Sequence, residues 1–255
     1  MINRAQITRR SAEDEVPART VERDYVLAHI IATVSNIQEE SGLIFKGGTA
    51  LRLCYFEDYR YSADLDFSMR DGTIADGTAA IEAVLREMDG PVTGLHLTTH
   101  NPPRIAYTGP LGRERYLKLD IADDELVLET EKRALLSRWP DLPADTNVLV
   151  YPLQEIAGEK LRCVIQRLQC RDLYDLHLLF EDAGVDVEYA TGVFSQKAAH
   201  RGIDPACFAE RYRARLIQYR ERWDAELEIH IPGAVPHFDE VERRVNRHLR
   251  RVNLL

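Results

Sequence analysis

Hydrophobic positions follow two different periods along the chain. Short apolar runs and two-residue alternations dominate as far as Tyr151, and a helical period dominates after Pro152. Leu43–Phe45 is a short apolar run that predicts a strand. Residues Ser62 to Met69 alternate, with Ala63, Leu65 and Phe67 on one face and Ser62, Asp64, Asp66 and Ser68 on the other. Gly94–Thr99, Arg104–Thr108, Arg115–Ile121 and Asn147–Tyr151 predict further strands. Pro102-Pro103 and the Gly-Pro-rich stretch from 109 to 112 break the first three apart as meander turns would.

Between these lie predicted helices. Thr20–Ser35 carries an apolar stripe of Val26, Ile30 and Val34, with Thr20 as its cap and Glu22 and Asp24 placed in the first turn to suit the helix dipole. Lys46 to Thr49 predicts a tight turn, followed by helices over Ala50–Phe56 and Gly77–Met88. Met1–Val16 is polar and mixed in charge and predicts a loose arm. After Pro152 the helical patterns are Leu153–Gln169, Asp172–Phe180, Pro205–Glu226 and Asp239–Val252. The pattern predicts an α/β (α+β) protein: an α/β domain over residues 1–151 that includes the N-terminal helix, then a helical C-terminal domain over 152–255.

Length and composition narrow this picture. At 255 residues and 45% hydrophobic, the chain can bury a sizeable core. No apolar run is long enough to cross a bilayer, and the N-terminus has no signal core, so a cytoplasmic protein is expected. The net charge of −9 argues against a protein that scans duplex nucleic acid, but not against an enzyme that touches one nucleic-acid end. Cys54, Cys163, Cys170 and Cys207 form no CxxC pair and read as free thiols. His96 and His100 lack the intervening glutamate of an HExxH zinc site.

The candidate chemistry lies between residues 47 and 66. Alternation puts Asp64 and Asp66 side by side, and two such carboxylates repel unless a cation sits between them. Mg²⁺ fits, because it uses few carboxylates and fills its shell with water and phosphate. Gly47-Gly48-Thr49 supplies a turn that a phosphate can approach, with Thr49 either capping the next helix or binding phosphate. Arg52, one turn on, could reach phosphate or cover the helix surface. Asp120 is a candidate third carboxylate, with a plain ion pair to Lys118 as the alternative. Lys160 shares the apolar face of Ile156 and Val164, and Asp175 lies among leucines. Each needs a partner or a task, and Arg171 is the simple partner for Asp175.

KGGTALRLCYF (Lys46–Phe56) followed by YSADLDFSM (Tyr61–Met69) resembles the first motif of the nucleotidyltransferase-fold toxins of the AbiEii/AbiGii and MenT type. EIAGEKLRCVIQR (Glu155–Arg167) resembles their helical lysine motif, and RDLYDLHLLF (Arg171–Phe180) their later acidic motif. VERDYVLAHII (Val21–Ile31) is similar to their N-terminal helix, so the resemblance spans about residues 20 to 180. It implies a polymerase-β-like nucleotidyltransferase fold with a small mixed sheet. It makes Asp64 central to catalysis, Asp66 the second metal carboxylate, and Ser62 the small hydroxyl residue two positions before Asp64. Lys160 becomes the nucleotide-phosphate lysine and Asp175 the acidic-motif residue, with Asp172 as the alternative. Gly48 and Thr49 stand where the fold commonly carries Gly-Ser.

The function so implied is that of the toxin of a bacterial toxin–antitoxin system. It transfers a nucleotidyl group from an NTP, with a pyrimidine nucleotide such as CTP favoured, to the 3′ acceptor end of tRNA. A cognate antitoxin is the implied protein partner. The alternatives are transfer to a protein hydroxyl, including Ser62 itself, and a catalytically silent member that binds only nucleotide or antitoxin. Clustered arginines at 211, 213, 215, 220 and 222 and at 243, 244, 247, 250 and 251 could hold RNA, although interspersed glutamates favour a solvated, salt-bridged surface.

Overall fold

The computed structural model describes residues 2–100, 102–136 and 139–255. The chain divides into two compact units, Met1–Tyr151 with His230–Gly233, and Pro152–Ile229 with Ala234–Leu255.

The first unit is built on one mixed sheet of seven strands. Its strands are β1 (Leu43–Lys46), β2 (Asp64–Met69), β3 (Thr93–Leu97), β4 (Arg104–Thr108), β5 (Glu114–Ala122), β6 (Glu131–Ala134) and β7 (Asn147–Val150), in the order β3-β4-β5-β2-β1-β7-β6. β2 runs antiparallel to β1 and parallel to β5. Register puts Leu65 beside Leu119 and Phe67 beside Ile121, so one face of the central strands is apolar. Phe45 pairs with Phe67 on that face, with ring centres 5.5 Å apart. Helix α5 (Ile74–Glu87) closes it at Gly77, where a Cβ would lie 2.7 Å from the Met69 sulfur.

Several sequence expectations change. The N-terminal segment is not a loose arm: Arg4–Glu13 is helix α1, opened by a capping box in which Asn3 and Gln6 satisfy each other's backbone, with Ile7 fully buried. Helix α2 (Ala18–Val34) starts behind Pro17, so Thr20 lies inside it and does not cap it. Glu22 and Asp24 do not serve the helix dipole. Both are buried: Glu22 pairs with Arg115 at 2.9 Å and accepts the Leu111 amide at 2.6 Å, while Asp24 pairs with Arg52. A short helix α3 (Gln38–Ser41) precedes β1. The Gly-Gly-Thr segment is already helical, forming α4 (Gly47–Ala50), which widens into a π turn over Leu51–Tyr55.

The second unit is helical: α6 (Leu153–Gln166), α7 (Cys170–Glu181), α8 (Val187–His200), α9 (Phe208–Leu227) and α10 (Phe238–Arg251). α8 escaped the sequence reading because its apolar stripe is short. Gly158 of α6 lets α8 approach, since a Cβ there would meet Val193 at 2.4 Å. Tyr212, Tyr219, Trp223 and Phe194 fill the core. All four cysteines are free. Among the described residues no helix is long and apolar enough to cross a membrane.

Candidate active site

β2 carries Asp64 and Asp66 on the face opposite Leu65 and Phe67, both half-buried. The neighbouring strands extend this polar face. On β5, Lys118 lies across from Asp64 and Asp120 from Asp66; on β1, Lys46 lies across from Asp66. Register thus brings three of the expected carboxylates to one patch. Lys118 Nζ stands 2.8 Å from Asp120, so the ion pair is formed, at a position beside Asp66. Burial acts to lower the Lys118 pKa, but Asp120, then Asp66 and Asp64, outweigh it and raise it.

Mg²⁺ can be tested against this donor set. Asp64 and Asp66 are hard oxygen donors on adjacent outward positions of one strand, and Mg²⁺ takes one or two such carboxylates plus water and phosphate. Among the described residues no three or more His, Cys, Asp or Glu side chains form a metal cluster. The residues therefore fit an open, two-carboxylate site that a phosphate would complete, and do not fit a closed protein cage.

The glycines are explained by what lies against them. Gly47 has φ +77°, and a Cβ there would sit 2.5 Å from an Asp66 carboxylate oxygen. A Cβ at Gly48 would sit 2.4 Å from the Arg60 guanidinium. Arg60 is buried and donates to the Tyr61 carbonyl at 3.2 Å; sequence reasoning missed it, because one arginine in a polar connection carries no periodic signal. The Thr49 hydroxyl neither caps α4 nor stands open: it is buried and donates to the Asp64 carbonyl at 2.5 Å. Ser62 is buried just before β2 begins. Arg52 is also buried. It pairs with Asp24, donates to the Tyr59 carbonyl and lies 3.7 Å over the Tyr61 ring. A cavity of about 380 Å³ bordered by Arg10, Asp24, Arg52 and Trp139 lies on this side, and none of the three carboxylates lines it.

Lys160 and Asp175 belong to the second unit. Lys160 Nζ lies 2.6 Å from Asp175 and 2.8 Å from Asp172, joining α6 to α7. Asp172 also holds Arg167 at 2.8 Å. Burial tends to raise the Asp172 pKa, but Lys160 and Arg167 hold it below the usual carboxylate value. Asp175 is thus paired with Lys160, from another helix, a partner that sequence spacing did not point to. A second buried lysine, Lys197, repeats the arrangement between Glu155 at 2.8 Å and Glu159 at 3.3 Å. Of the C-terminal arginines, Arg220, Arg222, Arg244 and Arg247 are ion-paired with acidic neighbours.

A mixed sheet with a Gly-Gly turn against a carboxylate strand is the arrangement of a nucleotidyltransferase. The sequence matches the family described as "Nucleotidyl transferase AbiEii toxin, Type IV TA system" over residues 29–245, and the chain belongs to that family of toxins of type IV toxin–antitoxin systems. The structure is similar to MenT4, a nucleotidyltransferase toxin from Mycobacterium tuberculosis H37Rv, at 20% identity and TM-score 0.73, covering 100% of this chain and 89% of that one. It also aligns with an antigenic nucleotidyltransferase-like protein from Paracoccidioides brasiliensis, at 13% identity and TM-score 0.43, covering 80% of this chain and 93% of the other. Comparison with curated protein sequences gives no match. Family membership implies a nucleotide substrate and an antitoxin partner.

Proposed function

We propose that the protein is a cytoplasmic toxin that transfers a nucleotidyl group from an NTP, a pyrimidine nucleotide such as CTP being favoured, to the 3′ end of tRNA, so blocking translation. The observation that carries this reading is Asp66 lying against Gly47, which sets the carboxylate pair directly beside the turn that a triphosphate can approach.

Asp64 and Asp66 would hold Mg²⁺, while Asp120, beside Asp66, is held by Lys118. When bound there, the ion would supply charge neutralisation to the phosphates and the leaving pyrophosphate. Gly47 and Gly48 give the phosphates close backbone approach. The acceptor hydroxyl oxygen attacks the α-phosphorus and loses its proton to solvent. The bond from the α-phosphorus to the bridging oxygen breaks, and pyrophosphate leaves with the electron pair. Little covalent work falls to the protein, and positioning with charge compensation dominates.

The test is incubation of the purified chain with each α-labelled NTP, Mg²⁺ and total tRNA, in parallel with Asp64→Ala. Label on tRNA that disappears in the variant supports the reading. Label on protein, including at Ser62, replaces tRNA by a protein hydroxyl as the acceptor. Equal labelling by the variant removes Asp64 from the site, and no labelling by the wild type indicates a silent, nucleotide- or antitoxin-binding member.

A further inference from the structure

We propose that Arg104, Tyr116 and Lys118, on the polar face of β4 and β5, form the surface that seats the single-stranded acceptor end in this reaction. The inference rests on the reaction proposed above and adds the residues that recognise its second substrate.

The argument starts from register. Arg104 of β4 lies directly across from Lys118 of β5, which lies directly across from Asp64 of β2. These three side chains form one row on one face of the sheet, with neighbours about 5 Å apart. Two residues along β5, about 7 Å from Lys118, stands Tyr116. Its partner on β4 is Ala106 and, beyond that, His96 on β3. Ala106 is fully buried while Tyr116 is 46% exposed, so a broad ring stands next to a small residue and is open to solvent.

In-line transfer sets which substrate lies where. The attacking oxygen and the leaving pyrophosphate must stand on opposite sides of the α-phosphorus. The Gly47-Gly48 turn adjoins Asp66 and follows β1, on one side of β2. With the triphosphate there, the acceptor must approach from the other side of β2, which is β5. What β5 and β4 present on that side is two exposed cations and an exposed aromatic ring, with the exposed carboxylates Glu114 and Asp120 at the ends of the same face of β5. Cations that follow a phosphate backbone beside a ring on which a base can stack make the general chemistry of single-stranded nucleic-acid sites. A protein acceptor would need no stacking ring.

The side chains are held in place. Lys118 is tethered by Asp120 at 2.8 Å, and the Tyr116 hydroxyl donates to Glu114 at 2.5 Å. These carboxylates bound the strip at its two ends and orient the cation and the ring.

The test uses the full chain and a 5′-fluorescein-labelled oligoribonucleotide with a free single-stranded 3′ end. Binding is followed by anisotropy at two salt concentrations, and binding of Mn²⁺ with CTP is measured separately by calorimetry. Arg104→Ala/Tyr116→Ala should weaken RNA binding about tenfold or more, with a shallower salt dependence, while Mn²⁺–CTP binding persists. Tyr116→Trp should restore stacking, and Tyr189→Ala, which removes an equally exposed tyrosine elsewhere, should bind RNA as wild type does. A double variant that binds and labels RNA as well as wild type overturns the strip and leaves the proposed reaction standing. A wild type that neither binds nor labels RNA but labels protein overturns both.

Discussion

The Thr49 side-chain hydroxyl donates to the backbone carbonyl of Asp64 across 2.5 Å, in a buried position. The hydroxyl at the end of the Gly-Gly-Thr segment therefore braces the strand that carries the carboxylates. Thr49→Val keeps the shape and removes the donor. It removes one hydrogen bond to the Asp64 carbonyl, at a cost of about 0.5–1.5 kcal/mol of stability. A small displacement of Asp64 should lower kcat by up to about 10²-fold while KM for the NTP stays close to wild type. Thr49→Ser should keep most of the rate. Steady-state kinetics decide the matter: a raised KM at unchanged kcat in Thr49→Val would make Thr49 a phosphate contact instead.

Gly47 and Gly48 should respond differently to alanine. At Gly47 the backbone is left-handed and the new Cβ meets the Asp66 carboxylate, so both backbone and carboxylate must shift. The backbone cost is about 1–3 kcal/mol. Mn²⁺ affinity, read by electron paramagnetic resonance without nucleotide, should fall. At Gly48 the obstacle is the far end of the Arg60 side chain, and metal affinity should hold. Wild-type Mn²⁺ binding by Gly47→Ala would show that Asp66 does not contribute a ligand.

Lys160 is the cation between two buried carboxylates, which makes it structural whatever else it does. Lys160→Met removes the cation that stands 2.6 Å from Asp175 and 2.8 Å from Asp172. Breaking such a buried set from one side costs about 3–5 kcal/mol. Lys160→Met/Asp175→Leu should recover part of that loss, because one of the two buried carboxylates facing the lost cation is gone. Urea unfolding measures both. A Lys160→Met variant as stable as wild type would mean that the lysine does not hold α6 to α7. Loss of activity in any Lys160 variant is interpretable only where that variant is still folded.

What was legible in the chain is what repeats. β2 could be read because Ala63, Leu65 and Phe67 alternate with Ser62, Asp64 and Asp66, and a strand with one buried face must sort them so. α6 and α7 could be read from their leucine and isoleucine spacing. The partners of charged residues could not be read, because they come from distant elements. Asp24 finds Arg52 from 28 residues away, and Lys160 finds Asp175 on the next helix. Glu22 and Asp24 look like ordinary first-turn acids in sequence, and only the packing of α2 against Arg115 and Arg52 makes them core residues. Helix α1 was missed although its capping box, Asn3 and Gln6, was visible, because one buried residue, Ile7, gives no stripe. Arg60 had no sequence signal, and its place against Gly48 is a product of the fold.

Acid should loosen the second unit through Asp172. Its folded pKa is depressed by Lys160 and Arg167 against the opposing effect of burial, so its pairing stabilises the fold above the unfolded carboxylate value. That contribution is lost as pH falls below about 4 and through the folded value. Arg167→Met removes one of the two cations and raises the folded pKa. The variant should therefore be less stable than wild type by an amount that is constant from neutral pH to about 5. The difference should shrink below about 4, where Asp172 becomes protonated in both proteins. Urea midpoints taken across this range provide the check. A stability difference that persists unchanged to pH about 3 would assign the effect of Arg167 to packing of its side chain and not to its charge.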